Sequence, residues 1–353
     1  MKKLLIILLI TSFTRNTIAQ KANLDGIWKL TETVKYGEQS RTRIAYITFK
    51  DNGTIEVSKR EIGTWQKNES KNIFSAECFH FPSINGDNII ETLDEKLLKL
   101  KNANGEIVSL QKIGLPKGEK LNNKYVGEWL LGKVEKDGES NFEGVLINLN
   151  SKGIFYVQGY IFGEWNYNKK TKKLFFDVKE KSDPFNGKHS VLKSNKSAFT
   201  LGSKGAKMYF SKIDKEKITK DNKVSGLTGS WEIENKTNSD EKIFISFKTP
   251  DEISYVVKTA YSSQKGSGMW IFNKNEKSVI LLGRINKLGG LNSVVKTSKN
   301  EILLKNNGTD YVLKKVASKE KILFRKLLKY KNKSIFSFVE ICFCFLYQIY
   351  MSS

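Results

Sequence analysis

Three cysteines and two histidines are all that this chain of 353 residues offers toward disulfides, zinc sites and histidine bases. Cys78 stands alone in the body of the sequence, and Cys342 and Cys344 are too close together to bridge comfortably, so a disulfide framework is excluded. No Cys/His spacing suits zinc, no glycine-rich phosphate loop precedes a helix, and no nucleophile elbow is present. His80 and His189 read as exposed or lightly buried loop residues. The acid pairs Asp94-Glu95, Asp240-Glu241 and Asp251-Glu252 stand beside turn signals and read as solvated strand ends. Nothing in this inventory calls for a metal or a cofactor. A long helical period is also missing from residues 23–316.

What is present is repetition. The chain has six tryptophans, and each follows a glycine by two residues. Gly26-Ile-Trp28, Gly127-Glu-Trp129 and Gly229-Ser-Trp231 recur at intervals of 101 and 102 residues. Gly63-Thr-Trp65, Gly163-Glu-Trp165 and Gly268-Met-Trp270 follow them by 37, 36 and 39. A fixed period of this kind means tandem copies of one unit. Asn85-Gly86, Asn186-Gly187 and Gly289-Gly290 keep the same register, as do Asn104-Gly105, Lys204-Gly205 and Asn307-Gly308, and all six read as tight hairpin turns. Between them apolar residues alternate, as in Val145, Ile147 and Leu149, Leu174, Phe176 and Val178, or Ile243, Ile245 and Phe247. That period is the mark of half-buried strands. Each copy holds roughly seven or eight, and even spacing of short antiparallel strands predicts an all-β barrel or sandwich.

A second Gly-x-Trp about 37 residues after the first, within an up-and-down strand pattern, resembles the small lipocalin-like domains of exported bacterial proteins. The resemblance covers 23–113, 124–213 and 226–316 and implies three tandem antiparallel up-and-down barrels. In larger lipocalins an arginine on the last strand packs over the opening tryptophan. Here Lys112, Lys212 and Lys315 fall 84, 83 and 84 residues after Trp28, Trp129 and Trp231, and the resemblance implies that they plug one end of each barrel together with those rings. The copies are shorter than a typical lipocalin and lack the arginine, which argues against a wide cavity.

Outside the copies, Lys2-Lys3, the apolar run Leu4 to Ile10 and the small-residue site Thr17-Ile18-Ala19 read as a signal peptide over 1–19, cleaved before Gln20. Export to the periplasm or beyond follows as an expectation. Residues 317–353 form a basic and then apolar tail, expected to be helical. A helix lying on a membrane surface, a helix docked on a barrel or partner, and an extension outside the domain plan all stay open for it. The linkers Gly114–Asn123 and Asp214–Ser225 are short and charged, so neighbouring barrels are expected to be close but loosely coupled, and these linkers to be the first protease sites.

The formal charge of +23 is unevenly spread. The first copy has thirteen cations against thirteen acids, the second sixteen against nine and the third fourteen against nine. A basic balance favours anionic partners, while the same lysines also serve as a solvated face. The reading is an exported, non-enzymatic binding protein whose partner is an apolar ligand, an anionic glycan, a membrane surface or a protein, but not nucleic acid. The alternative is a structural, adhesive or protein-interaction scaffold whose barrels are filled by their own side chains. A carboxylate pair hydrolysing a glycan at a barrel mouth is not expected.

Overall fold

The computed structural model describes residues 23–316 apart from 36–37, 41–44, 80, 179–181, 204, 235–240, 260 and 284–287. The expected signal peptide, the C-terminal tail and His80 lie outside the described residues.

The chain folds into three antiparallel barrels. The first comprises β1 (Gly26–Lys35), β2 (Glu38–Ser40), β3 (Tyr46–Phe49), β4 (Thr54–Val57), β5 (Arg60–Asn68), β6 (Ile73–Glu77), β7 (Gly86–Leu93), β8 (Leu97–Asn102) and β9 (Ile107–Ile113). It closes where β1 pairs with β9, and the short β2 adds beside β1. The second runs β10 (Gly127–Lys136), β11 (Glu139–Leu149), β12 (Ile154–Val157), β13 (Tyr160–Asn168), β14 (Lys173–Val178), β15 (Gly187–Ser194), β16 (Ala198–Ser203) and β17 (Ala206–Lys212). After the helix α1 (Lys215–Val224), the third is built from β18 (Gly229–Ile233), β19 (Lys242–Lys248), β20 (Glu252–Lys258), β21 (Ser263–Asn273), β22 (Ser278–Gly283), β23 (Gly290–Thr297), β24 (Glu301–Asn306) and β25 (Thr309–Lys315). Each strand pairs with its neighbours in sequence, and first meets last, so the order is up-and-down throughout.

Alternation sets which side faces in. In β8, Leu98 and Leu100 are fully buried while Lys99 and Lys101 point outward. A one-residue slip would exchange those sets, so the apolar pattern fixes the register. Bulges recur at one place in every copy, between Ile90 and Thr92, Val191 and Lys193, and Val294 and Lys296. An extra residue there bends the sheet toward closure.

Two expectations are corrected. Asn85-Gly86 and Asn186-Gly187 are not two-residue hairpins: each glycine opens a strand after a longer loop. The Asn85 side chain instead accepts from the Cys78 N–H at 2.7 Å, tying the loop's ends together. Asn104-Gly105 likewise lies in a four-residue connection and Gly289-Gly290 at the end of a longer one. Asn307-Gly308, with φ of 44° and 82°, does make the two-residue turn, as do Ser58-Lys59, Asp137-Gly138 and Gln158-Gly159, each with both φ positive, as a type I′ turn needs.

The second correction concerns coupling. The chain divides into two compact units, 1–116 and 117–353, so the second and third barrels belong together. The linker between them is α1, capped at its start by Asp214 accepting from the Lys217 N–H. Its buried Asn222 donates to the carbonyls of Pro250 (2.7 Å) and Trp270 (3.1 Å) and accepts from the Phe272 N–H (2.9 Å). Outward-facing Leu130 and Leu146 of the second barrel, with Ile213, pack against Met269, Ile271, Ile280, Leu282 and Leu291 of the third. Short helical spacing hidden in a charged linker, and apolar residues on outward positions, were not read from the sequence.

Trypsin is therefore expected to cut at exposed Lys117 or Lys120 before any lysine of α1, leaving a fragment that carries both later barrels. Asn222→Ala strips partners from three backbone groups, and at the two buried ones, the Trp270 carbonyl and the Phe272 N–H, each lost partner costs on the order of 1–3 kcal/mol. The variant should gain early cleavage between Lys215 and Lys223. Simultaneous cutting of both linkers in the parent protein would show that α1 is not clamped.

Candidate functional site

A lipocalin-like barrel offers two places for a ligand, its interior and its outer surface. The interior begins at the closed end, where the chain enters and leaves. Trp28, Trp129 and Trp231 are buried there, and each indole N–H donates to the carbonyl four residues earlier: Leu24 at 2.7 Å, Tyr125 at 2.7 Å and Leu227 at 2.8 Å. Lys112, Lys212 and Lys315 lie opposite these residues on the last strand. Their ammonium groups stand 5.1, 5.5 and 3.9 Å from the ring centroids. Lys112 also donates to the Asn23 carbonyl at 2.7 Å. Partial burial lowers its pKa, and nearby Asp25 opposes that shift.

The two glycines of each Gly-x-Trp pair answer to different constraints. Gly26, Gly127 and Gly229 have φ near +135°, and a methyl group on Gly26 would sit 2.7 Å from Lys112 Cε. Gly63, Gly163 and Gly268 pass so close to the next strand that a Cβ would overlap the carbonyls of Glu77, Asp177 and Leu282. The second tryptophans hang from the same scaffold. Trp65, Trp165 and Trp270 donate to the carbonyls of Lys50 (3.0 Å), Asn150 (3.0 Å) and Lys248 (2.9 Å).

Above this floor the interiors are filled. In the first barrel Phe49, Phe74, Ile47 and Ile55 are fully buried, and Phe49 meets Phe74 at 5.3 Å between centroids. In the second, Phe155, Phe176 and Phe185 pack mutually at 4.9, 5.2 and 6.0 Å. In the third, Phe247 stands edge-on to Trp270 at 5.2 Å. A shallow hollow of about 490 Å³ lies outside the closed end of the second barrel, lined by Glu128, Ser197, Lys212, Ile213 and the start of α1.

His189 is not a loop residue. It sits on β15, fully buried, with Nε2 2.8 Å from the Phe185 carbonyl. Asn88 and Asn292 occupy the same place in the other barrels and donate to Ile84 and Leu288, also four residues back, at 2.9 Å each. Aligning the copies on Asn85-Gly86 and Asn186-Gly187 sets His189 opposite Asn88, two residues after each glycine, which is the signal the sequence offers for it. Among the described residues there is no group of three or more His, Cys, Asp or Glu that could hold a metal ion.

Outside the second barrel, side chains converge that the sequence had not singled out. Lys124 donates to Ser194 Oγ at 2.6 Å and lies 5.5 Å from the Tyr125 ring, and Tyr125 packs on Tyr167 at 4.7 Å. Partial burial and Tyr125 raise the Tyr167 pKa, against the pull of Lys124 and Lys172. Lys133, Glu135 and Tyr209 make a second polar cluster on the outer wall, with Tyr209 and Lys133 both donating to Glu135.

Trp129→Ala should cost about 3–5 kcal/mol, as loss of a buried indole does, and should lower the melting temperature of the 117–353 unit alone. An unchanged melt would place that indole outside the core. His189→Asn keeps a donor for the Phe185 carbonyl, whereas His189→Leu leaves it bare at a cost of about 1–3 kcal/mol. Chemical denaturation should rank Asn above Leu, and the reverse order would remove the hydrogen bond from the account.

No known sequence family matches the chain, and no curated protein matches it. Among solved structures, a lipocalin-like protein from Bacteroides uniformis aligns with 26% of this chain and 100% of its own at 19% identity, with a TM-score of 0.22. Transferrin binding protein B from Neisseria meningitidis aligns with 79% of this chain and 66% of its own at 10% identity, with a TM-score of 0.15. A protein of unknown function from Nostoc punctiforme aligns with 83% and 96% at 13% identity, also at 0.15. Strand order and closure carry the assignment instead: the chain is a tandem of three lipocalin-like barrels.

Proposed function

We propose that this is an exported, non-enzymatic protein that binds its partners on the outer surfaces of its barrels. The observation that carries the reading is the filling of all three interiors by buried aromatic and aliphatic side chains, from Trp28 and Phe74 to Phe185 and Trp270. Small barrels are commonly packed solid in this way, and larger ones enclose ligands. Export rests on the apolar run and small-residue site of the first 19 residues. The non-enzymatic reading rests on chemistry already committed elsewhere, since His189 holds the Phe185 carbonyl and Glu135 accepts hydrogen bonds from Lys133 and Tyr209. Three folded modules on one chain suit repeated weak contacts, which linkage turns into avidity.

Native mass spectrometry of protein purified from its own compartment tests this reading. The expected result is the bare polypeptide mass, starting at Gln20. A stoichiometric small molecule released only on unfolding would place a ligand inside a barrel and overturn it.

A further inference from the structure

The second barrel is electrically lopsided. In an up-and-down barrel alternate connections lie at opposite ends. The turns at 150–153, 169–172 and 195–197 therefore share the closed end with the chain's entry before β10 and its exit after β17. Those turns carry Lys152, Lys169, Lys170, Lys172 and Lys196 and no acid. The adjoining strand ends add Lys124, Lys173, Lys193 and Lys212. The carboxylates at this end are gathered where the chain leaves the barrel: Glu128, paired with Lys215 at 3.0 Å, Asp214, which caps α1, and Glu216 in its first turn. The three turns themselves and the residues within three of them hold none. At the other end, around the β10–β11 turn, Lys133 and Lys136 are balanced by Glu135, Asp137 and Glu139. The excess of sixteen cations over nine acids in this copy is thus concentrated at one end.

The corresponding end of the first barrel is mixed, with Lys50 beside Asp51, Lys71 near Glu69, and Asp94 and Glu95 beside Lys96. In the third, Asp251, Glu252, Glu276 and Glu301 intervene among the lysines. A general lysine enrichment would not produce this difference between copies sharing one fold.

Resting on the surface-binding reading above, we propose that the closed end of the second barrel binds an acidic polysaccharide. Lysines spread over several turns suit a long polyanion. Beside them Lys124 is held in place by its hydrogen bond to Ser194 Oγ at 2.6 Å and by the buried Tyr125 ring beneath it, so part of the basic end is already ordered for a ligand. A bilayer fits less well. The turn tips hold Lys, Asn, Ser, Thr and Gly, and the exposed apolar residues nearby, Phe175 and Leu192, lie on strands of the wall. No apolar wedge projects to enter the acyl region.

The test uses the full chain and dextran sulfate, with neutral dextran and phosphatidylglycerol vesicles in parallel arms. One variant removes four closed-end charges (Lys169→Ser, Lys170→Ser, Lys173→Ser, Lys196→Ser). A second removes four exposed charges elsewhere (Lys207→Ser, Lys258→Ser, Lys274→Ser, Lys305→Ser). Matching melting curves verify that both are folded. The parent should bind dextran sulfate at low salt and lose it at high salt, as screening requires. The closed-end variant should lose at least about tenfold in affinity, because each phosphate- or sulfate-like contact is salt-linked, and the other variant should stay within about twofold. Equal losses in both variants would show that only total charge matters and overturn the proposal. Binding to vesicles but not to dextran sulfate would overturn it in favour of lipid. Parental indifference to dextran sulfate would also overturn it while leaving the surface-binding reading intact, since that reading fails only on an internal ligand.

Discussion

Closure of each sheet by pairing its first strand with its last is the constraint on which everything else depends. In the first barrel that seam runs from Ile27 opposite Ile113 to Val34 opposite Ile107, and it places Trp28 directly across from Lys112. Without the seam the indole would lose one wall and both edge strands would be open to pairing with other chains. The seam also explains Gly26 and Gly229, because the lysine there needs the space a Cβ would take, while Gly127 is required by its φ of 139°. The tryptophan, the glycine and the lysine form one device, repeated three times.

Divergence among the copies is confined largely to outward positions, and it decides how they associate. Where the second barrel presents Leu130 and Leu146, the first has Lys29 and Tyr46 and the third Glu232 and Phe244. Where the third presents Met269, Ile280, Leu282 and Leu291, the second has Glu164, Phe175, Asp177 and Lys188, and the first Thr64, Ser75, Glu77 and Asp87. One apolar face meets one complementary apolar face, and α1 locks the pair through Asn222. Specific docking between modules of one fold needs this asymmetry, since both complementary faces on every copy would favour open-ended, head-to-tail assembly. The same freedom on outward positions lets the second barrel gather lysines at one end without disturbing its core.

Inward positions diverge too, but only within a shared hydrogen-bonding scheme. Asn88, His189 and Asn292 differ in volume and in titration chemistry, yet each meets a loop carbonyl four residues back. The histidine replaces a carboxamide among larger neighbours: Phe176 packs 5.5 Å from its ring, where the first barrel has Ala76. Its place in the register, more than its chemistry, explains it.

The sequence by itself determined the number of copies, their all-β class and the strand alternation, because period-two burial and a hundred-residue repeat are written in residue identity alone. Spacing also singled out Trp28, Trp129 and Trp231, and the resemblance to lipocalin-like domains pointed to the three lysines that pack on them. Tertiary structure decided the rest. Whether Leu130 or Phe175 is covered depends on which barrel lies against it, and outward apolar residues look alike in sequence whether docked or bare. A ten-residue segment, charged or polar except for Ile218 and Val224, became a clamped helix because the carbonyls of Pro250 and Trp270 in the third barrel lay within reach of Asn222, which no local pattern records. The lysines of the second barrel became a single basic end only when the turns carrying them, separated along the chain by 17 residues from Lys152 to Lys169 and 24 from Lys172 to Lys196, were brought together by closure.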